Sequence, residues 1–255
     1  MSRTFDHLTF VHGFIAATLL AGAVSSASAA SISYPDLGPV APGVTFVDIA
    51  ESSGTDAVPL YGAPSALGTG LAFSPTPAFA SSSTGGSADL TDGQLNYTMI
   101  AGTGSGGIPL ITYNESGVYT LSGVGAGTQA SVGAVLRATV TEVNGTSVSP
   151  IALAIAQQSL IFSLPADVGS AAWSLGLSVD VASELAGHGY GSGDVATRID
   201  VTIDNVLGTT STVDSTASIS KTNLTVLTTP EPASILLGVF AAGGLALCRV
   251  RRGVS

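Results

Sequence analysis

The chain has 255 residues, 9% of them charged and 45% hydrophobic, with a formal net charge of −10. Between Ala30 and Thr229 the only basic residues are Arg137, Arg198 and Lys221, so no basic patch exists to neutralise phosphates and nucleic acid is excluded as a partner. The sole cysteine, Cys248, lies close to the C-terminus, which leaves the rest of the chain without a disulfide or a thiol nucleophile. The composition is too apolar for a disordered chain and too poor in Lys, Glu and Leu for a helical one.

Residues 1–29 read as a secretory signal peptide. Arg3 supplies a positive start, Gly13 to Val24 an apolar stretch, and Ala27-Ser28-Ala29 the small-x-small site after which signal peptidase cuts, with Ala27 and Ala29 as the recognised residues. The apolar stretch is too short for a permanent span. His7 and His12 fall in this removed part, so the body keeps one imidazole, His188.

Residues 30–87 are broken by Pro35, Pro39, Pro42, Pro59, Pro64, Pro75 and Pro77, and read as a loop-rich lead-in with one or two strands, Val44 to Ile49 among them. Ser81 to Ser87, nearly all Ser, Thr and Gly, reads as a flexible loop or linker.

From residue 88 to 228 the chain predicts regular short strands. They are placed near Gln94 to Ile100, Ile108 to Tyr113, Gly117 to Val124, Val132 to Val143, Ser147 to Ala154, Ser159 to Leu164, Ala172 to Val181, Thr197 to Val206 and Ala217 to Leu227. Ile199, Val201 and Ile203 alternating with Arg198, Asp200, Thr202 and Asp204 illustrate the period of two. Asn144-Gly145 is a two-residue hairpin signal. The expected fold is all-β, an antiparallel β-sandwich of jelly-roll type.

This body offers little recognisable chemistry. His188 sits in a glycine-rich stretch, Gly187 to Asp194, but Gly191-Ser192-Gly193 lacks the spacing of a nucleophile elbow, and one His without a body Cys serves zinc poorly. Asp180, Glu184, Asp194, Asp200 and Asp204 are the carboxylates that could act as a glycosidase pair or ligate calcium, with Asp194, Asp200 and Asp204 as the calcium candidates. Asp200 and Asp204 share one face of a strand about 13 Å apart, too far for a catalytic pair from that strand alone. Neither a required cofactor nor a catalytic residue is expected, and the body reads as non-enzymatic.

The C-terminal segment, 229–255, is more specific. Pro230-Glu231-Pro232 is followed by an uncharged run, 233–248, and then by Arg249, Arg251 and Arg252 within 249–252. Sixteen residues make a helix of roughly 24 Å, close to the thickness of a bilayer core, which the arginines extend by snorkelling while marking the cytoplasmic side. A single C-terminal transmembrane helix is therefore expected, with everything before it outside. The two prolines fix φ and bias their neighbours toward extended structure, which holds the motif clear of the helix.

In order, spacing and terminal placement these three parts resemble the PEP-CTERM sorting domain, also labelled the ice-binding protein C-terminal domain. The resemblance covers about Thr229 to Arg252 and rests on Pro230, Glu231 and Pro232 as the sorting motif, with Arg249, Arg251 and Arg252 as the membrane stop. It implies a bacterial protein exported past signal peptidase, held transiently in the inner membrane, and processed near the motif by an exosortase, a membrane transpeptidase-like enzyme. The body would then reside at the cell surface or outside the cell. Three functions follow for it: an extracellular-matrix or surface protein associated with exopolysaccharide or biofilm; a secreted carbohydrate-binding module, recognisable by Tyr97, Tyr113, Tyr119, Trp173 and Tyr190 lined up on one exposed face; or a secreted hydrolase, which would need His188 and carboxylates in one pocket.

Overall fold

A computed structural model describes residues 30–40, 43–75, 77–102 and 104–229. Among them are fourteen strands and one short helix. The first six strands are β1 (Ala30–Ser33), β2 (Leu37–Val40), β3 (Val44–Ser53), β4 (Ser65–Leu67), β5 (Gly70–Phe73) and β6 (Ala80–Thr84). The longer part of the chain gives β7 (Ala88–Ala101), β8 (Leu110–Ser122), β9 (Gln129–Val143), β10 (Thr146–Ala152), β11 (Ala156–Ser163), β12 (Gly169–Asp180), α1 (Val181–Gly187), β13 (Ala196–Thr210) and β14 (Thr216–Thr229).

All pairings are antiparallel and form two sheets. One runs β1-β3-β7-β13-β9-β10, with β2 added to β3 and β11 to β9; the other runs β12-β8-β14-β5-β4, with β6 added to β14. The long strands alternate between sheets: β7, β9 and β13 lie in the first, and β8, β12 and β14 in the second. Each therefore sends every second side chain into the shared interior. On β8 the inward set is Ile111, Tyr113, Glu115, Gly117, Tyr119 and Leu121; on β13 it includes Ile199, Val201, Ile203, Asn205 and Leu207. Burial of these apolar side chains, at about 25 cal/mol per Å², is the main force holding sheet on sheet.

The phase of that alternation changes once on β14. Ala217, Ile219 and Lys221 face inward, the pairing with β8 shifts between Lys221 and Asn223, and Leu224 and Val226 face inward thereafter. This bulge re-aims the strand without letting its apolar side turn to solvent.

The expected strands from Gln94 to Leu227 are present, with two differences. Ile108 to Tyr113 and Gly117 to Val124 were expected as separate strands but form the single β8, since Asn114-Glu115-Ser116 continues the alternation instead of turning. The Gly-rich stretch before Asp194 is preceded by α1, which the alternation did not foretell. Asp180 caps it by accepting the Ser183 N–H at 2.9 Å, and Val181 and Leu185, one turn apart, bury its inner face.

The lead-in is corrected more substantially. Instead of one or two strands, residues 30–84 supply six, which join both sheets. Pro35, Pro59, Pro64, Pro75 and Pro77 lie between strands, where a missing N–H costs no ladder bond, whereas Pro39 sits inside β2, whose pairing with β3 is irregular between Leu37 and Val40. Ser81 to Thr84 is not a linker: it belongs to β6, with Ser81 and Ser83 buried and the strand paired to β14 over Ala80 to Thr84. The buried Ser81 hydroxyl is satisfied across the interior, by Thr209 Oγ1 at 3.0 Å and the Asp89 carbonyl at 3.1 Å.

Among the described residues no helix is long and apolar enough to cross a membrane. The expected signal peptide, 1–29, with Ala27 and Ala29, and the motif, apolar run and arginines from Pro230 onward lie outside the described residues.

Candidate functional site

The groups named from the sequence are spread over the surface and each is engaged separately. Asp204 on β13 pairs with Arg137 on β9 and accepts from Gln94 on β7 at 2.7 Å. Asn96 donates to Gln94 at 3.1 Å and accepts from Thr202 at 2.8 Å, which completes a polar ladder over the outer face of three strands. Asp200 accepts from the Thr98 hydroxyl at 2.7 Å. Asp194 accepts the Gly191 N–H at 2.7 Å and the Asn144 side-chain amide at 2.6 Å, so it fastens the glycine-rich loop to the β9–β10 turn. Glu184 accepts the Ala154 N–H at 3.2 Å. His188 ends α1, and its backbone N–H bonds the carbonyls of Glu184 and Leu185.

The calcium candidates Asp194, Asp200 and Asp204 thus serve three different local networks, and among the described residues no group of three or more His, Cys, Asp or Glu side chains converges as a metal site. The aromatic face expected of a carbohydrate-binding module does not form from the residues named for it. Tyr97, Tyr113, Tyr119 and Trp173 are buried in the interior, and Tyr190 packs against it half-buried.

The concentrated chemistry lies instead between the sheets. Lys221, the only lysine in the chain, points inward from β14 and is fully buried. Its Nζ stands 2.5 Å from Glu115 Oε2, on the neighbouring strand β8, and both side chains are sealed from solvent. The Phe79 ring lies below the ammonium, 4.3 Å from centroid to Nζ, with the Tyr61 ring at 5.6 Å. These faces supply the cation with a negative quadrupole in place of water.

Two tyrosines link this pair to the opposite sheet. The Tyr113 hydroxyl sits between Glu115 Oε2, with a very short contact, and Asn205 Oδ1 at 2.9 Å. The Tyr61 hydroxyl reaches the same Asn205 Oδ1 at 3.0 Å and the Gly93 carbonyl at 2.8 Å. One carboxamide oxygen on β13 is therefore faced by two phenols, while among the described residues Asn205 Nδ2 and Glu115 Oε1 make no hydrogen bond.

Burial sets the protonation of the cluster. It lowers the Lys221 amine from its ordinary value, against the opposing charge of Glu115. It raises both the Tyr61 and Tyr113 hydroxyls well above theirs, with the Glu115 charge adding to the effect, so both phenols keep their proton and remain donors. A second buried carboxylate, Glu51 on β3, holds Tyr61 in place by accepting the N–H groups of Leu60 at 2.5 Å and Tyr61 at 3.0 Å. Burial raises the Glu51 carboxyl, and those two amides partly offset it.

Sequence reasoning missed this cluster although a signal was present. Lys221 continues the inward series Ala217, Ile219 in a chain with no other lysine, and a charge at such a position demands a buried partner. The reading of Asn114-Glu115-Ser116 as a break between strands removed that partner from view.

A shallow groove of about 300 Å³ runs along β6 and β14, lined by Ser82, Ser83, Thr84, Ser87, Thr216, Ala217 and Ser218. It holds hydroxyls and no ionisable group.

No protein-family model and no curated protein matches the chain. Among solved structures, a loop-swap mutant of the xylanase Xyn11A from Neocallimastix patriciarum is 12% identical, with 78% of this chain and 100% of that one covered at a TM-score of 0.23. The family 11 xylanase of the same organism is 10% identical over 78% and 99%, at a TM-score of 0.20. The VP2 subviral particle of infectious bursal disease virus is 13% identical over 80% and 58%, at 0.16. TM-scores this low carry no conclusion about activity or topology.

Proposed function

We propose that the chain is an exported surface or extracellular-matrix protein, sorted by its C-terminal segment and carrying a non-enzymatic acidic β body associated with exopolysaccharide. The observation that carries this reading is the tail: Pro230-Glu231-Pro232, an apolar run of a span's length, and Arg249, Arg251 and Arg252 in that order at the terminus. In it, Ala27 and Ala29 mark removal of the signal peptide, the apolar run holds the precursor in the inner membrane, and an exosortase acts near Glu231. Support from the body is that its densest ionisable cluster is sealed from solvent between the sheets, whereas the outward carboxylates Asp204, Asp200 and Asp194 are tied to Arg137, Thr98 and Asn144. The jelly-roll type is supported by β13 inserted between β7 and β9 and by β14 beside β8, so that late strands close on early ones.

Binding of carbohydrate by the body itself is a second reading. The ladder of Arg137, Asp204, Gln94, Asn96 and Thr202 favours it, as a row of donors and acceptors suited to sugar hydroxyls. Affinity electrophoresis of the protein in gels containing polysaccharide separates the two, since retardation lost in the Gln94→Ala variant belongs only to direct binding by this face.

Cell fractionation tests the sorting reading. Glu231→Ala leaves the apolar run intact, so full-length protein should accumulate in the membrane. Leu237→Arg places a charge near mid-span at a cost of about 2.5–3.5 kcal/mol, so uncut protein should escape outward. Unchanged processing of both variants would defeat the proposal.

A further inference from the structure

The buried cluster contains the parts of a condensation reaction: a primary amine, a carboxamide, a carboxylate against the amine, and two hydroxyl donors on the amide oxygen. We propose that Lys221 Nζ forms an isopeptide bond with the side chain of Asn205, with Glu115 as the proton carrier, so that β14 and β13 become covalently joined across the sandwich.

The reaction balances within the cluster. Glu115 takes one proton from the Lys221 ammonium, and the resulting amine attacks Asn205 Cγ. The carbonyl electron pair moves onto Oδ1, where the hydroxyls of Tyr61 and Tyr113, already 3.0 and 2.9 Å away, stabilise the negative charge. Glu115 gives its proton to Nδ2 and removes a second proton from Nζ. The carbonyl then re-forms, the Cγ–Nδ2 bond breaks, and ammonia leaves. The products are a secondary amide, ammonia and a protonated Glu115.

Three features of the site favour this course. The amine is desolvated between aromatic rings and its lowered basicity increases the neutral, nucleophilic form. Asn205 Nδ2, the departing group, has no hydrogen bond among the described residues to hold it back. The outcome also removes a fully buried ion pair, whose desolvation is expensive, and replaces it with neutral groups. In a body without a disulfide, such a bond would add a side-chain cross-link between sheets otherwise joined covalently only through the backbone.

The sole lysine makes the test direct. Full-length protein is digested with trypsin and the peptides are weighed. The expected product runs from Ile199 to Arg249, uncut after Lys221 and one ammonia lighter than its sequence; cleavage at Asp214 should leave its two pieces joined. After denaturation, an amine-reactive label should find no lysine. Cleavage after Lys221 at full mass, with a reactive lysine, would overturn the proposal, and so would a loss of one water with the link at Glu115. Glu115→Ala should restore the full mass and the tryptic cut; a bond that forms unchanged in this variant would contradict the role given to Glu115. Tyr113→Phe, which keeps the ring and removes one donor, should slow bond formation in freshly synthesised protein by 10-fold or more; an unchanged rate would remove Tyr113 from the mechanism.

Discussion

Gly117 shows how a single missing side chain shapes the interior. It lies on β8 directly across from Trp173 on β12, and a Cβ there would stand 2.6 Å from the indole ring and 1.9 Å from the Ser220 carbonyl. Both neighbours have closed over the glycine, so Gly117→Ala should lower stability by about 1–3 kcal/mol or more, seen as a reduced urea midpoint. Asp92 works in the opposite way, by gathering donors. Its Oδ1 accepts from the Ser53 and Thr55 hydroxyls at 3.0 and 2.7 Å and from the Gly54 and Thr55 N–H groups, both at 2.9 Å. Burial raises this carboxyl, but the hydrogen bonds from Thr55, Ser53 and Gly54 outweigh it and leave it below the ordinary value. A depressed folded pKa means stability that is fully present above the unfolded value of about 3.9 and is lost as pH falls through the lower, folded one. Asp92→Asn should therefore be less stable than the parent at neutral pH, with the gap narrowing in acid; a gap constant between neutral pH and pH 3 in urea titrations would contradict this.

At the scale of elements, the two-residue turn between β9 and β10 was the clearest local signal. Asn144 and Gly145 both adopt positive φ, 52° and 74°, as a hairpin turn matched to strand twist requires. Asn144 also accepts the Val195 N–H at 3.0 Å, which ties the turn to the start of β13. Gly145→Val should cost about 1–2 kcal/mol, because a β-branched residue resists the left-handed region, and the loss should appear in thermal unfolding of the purified protein. Strands with apolar alternation, such as β9 and β13, were legible for the same reason: burial imposes the period of two on the sequence. β6 and β8 are hidden from the alternation because their inward positions carry Ser81, Ser83 and Glu115, and the partners of Ser81 and Glu115 come from strands remote in sequence. α1 was missed because its seven residues show only one apolar repeat, Val181 and Leu185, and its cap, Asp180, also ends a well-patterned strand. The buried cluster was the least legible feature. Its members come from β8, β13, β14 and the segments after β3 and β5, and only the antiparallel pairing brings them together.

For the whole molecule, the two sheets are joined by an apolar interior, by the stacking of Tyr119 on Phe162 at 4.0 Å between β8 and β11, and by the Lys221–Glu115–Tyr113–Asn205 chain. β14 ends at Thr229, and Pro230-Glu231-Pro232, the motif proposed for sorting, begins with the next residue of the sequence. In the proposed function the last segment holds the exported precursor in the membrane and is then removed. Mass spectrometry of the mature C-terminus of the protein from its source organism tests it most directly. The account predicts a chain that ends near Pro230-Glu231-Pro232 and lacks the apolar run and the arginines. Protein recovered from the cell exterior and ending at Ser255 would contradict it.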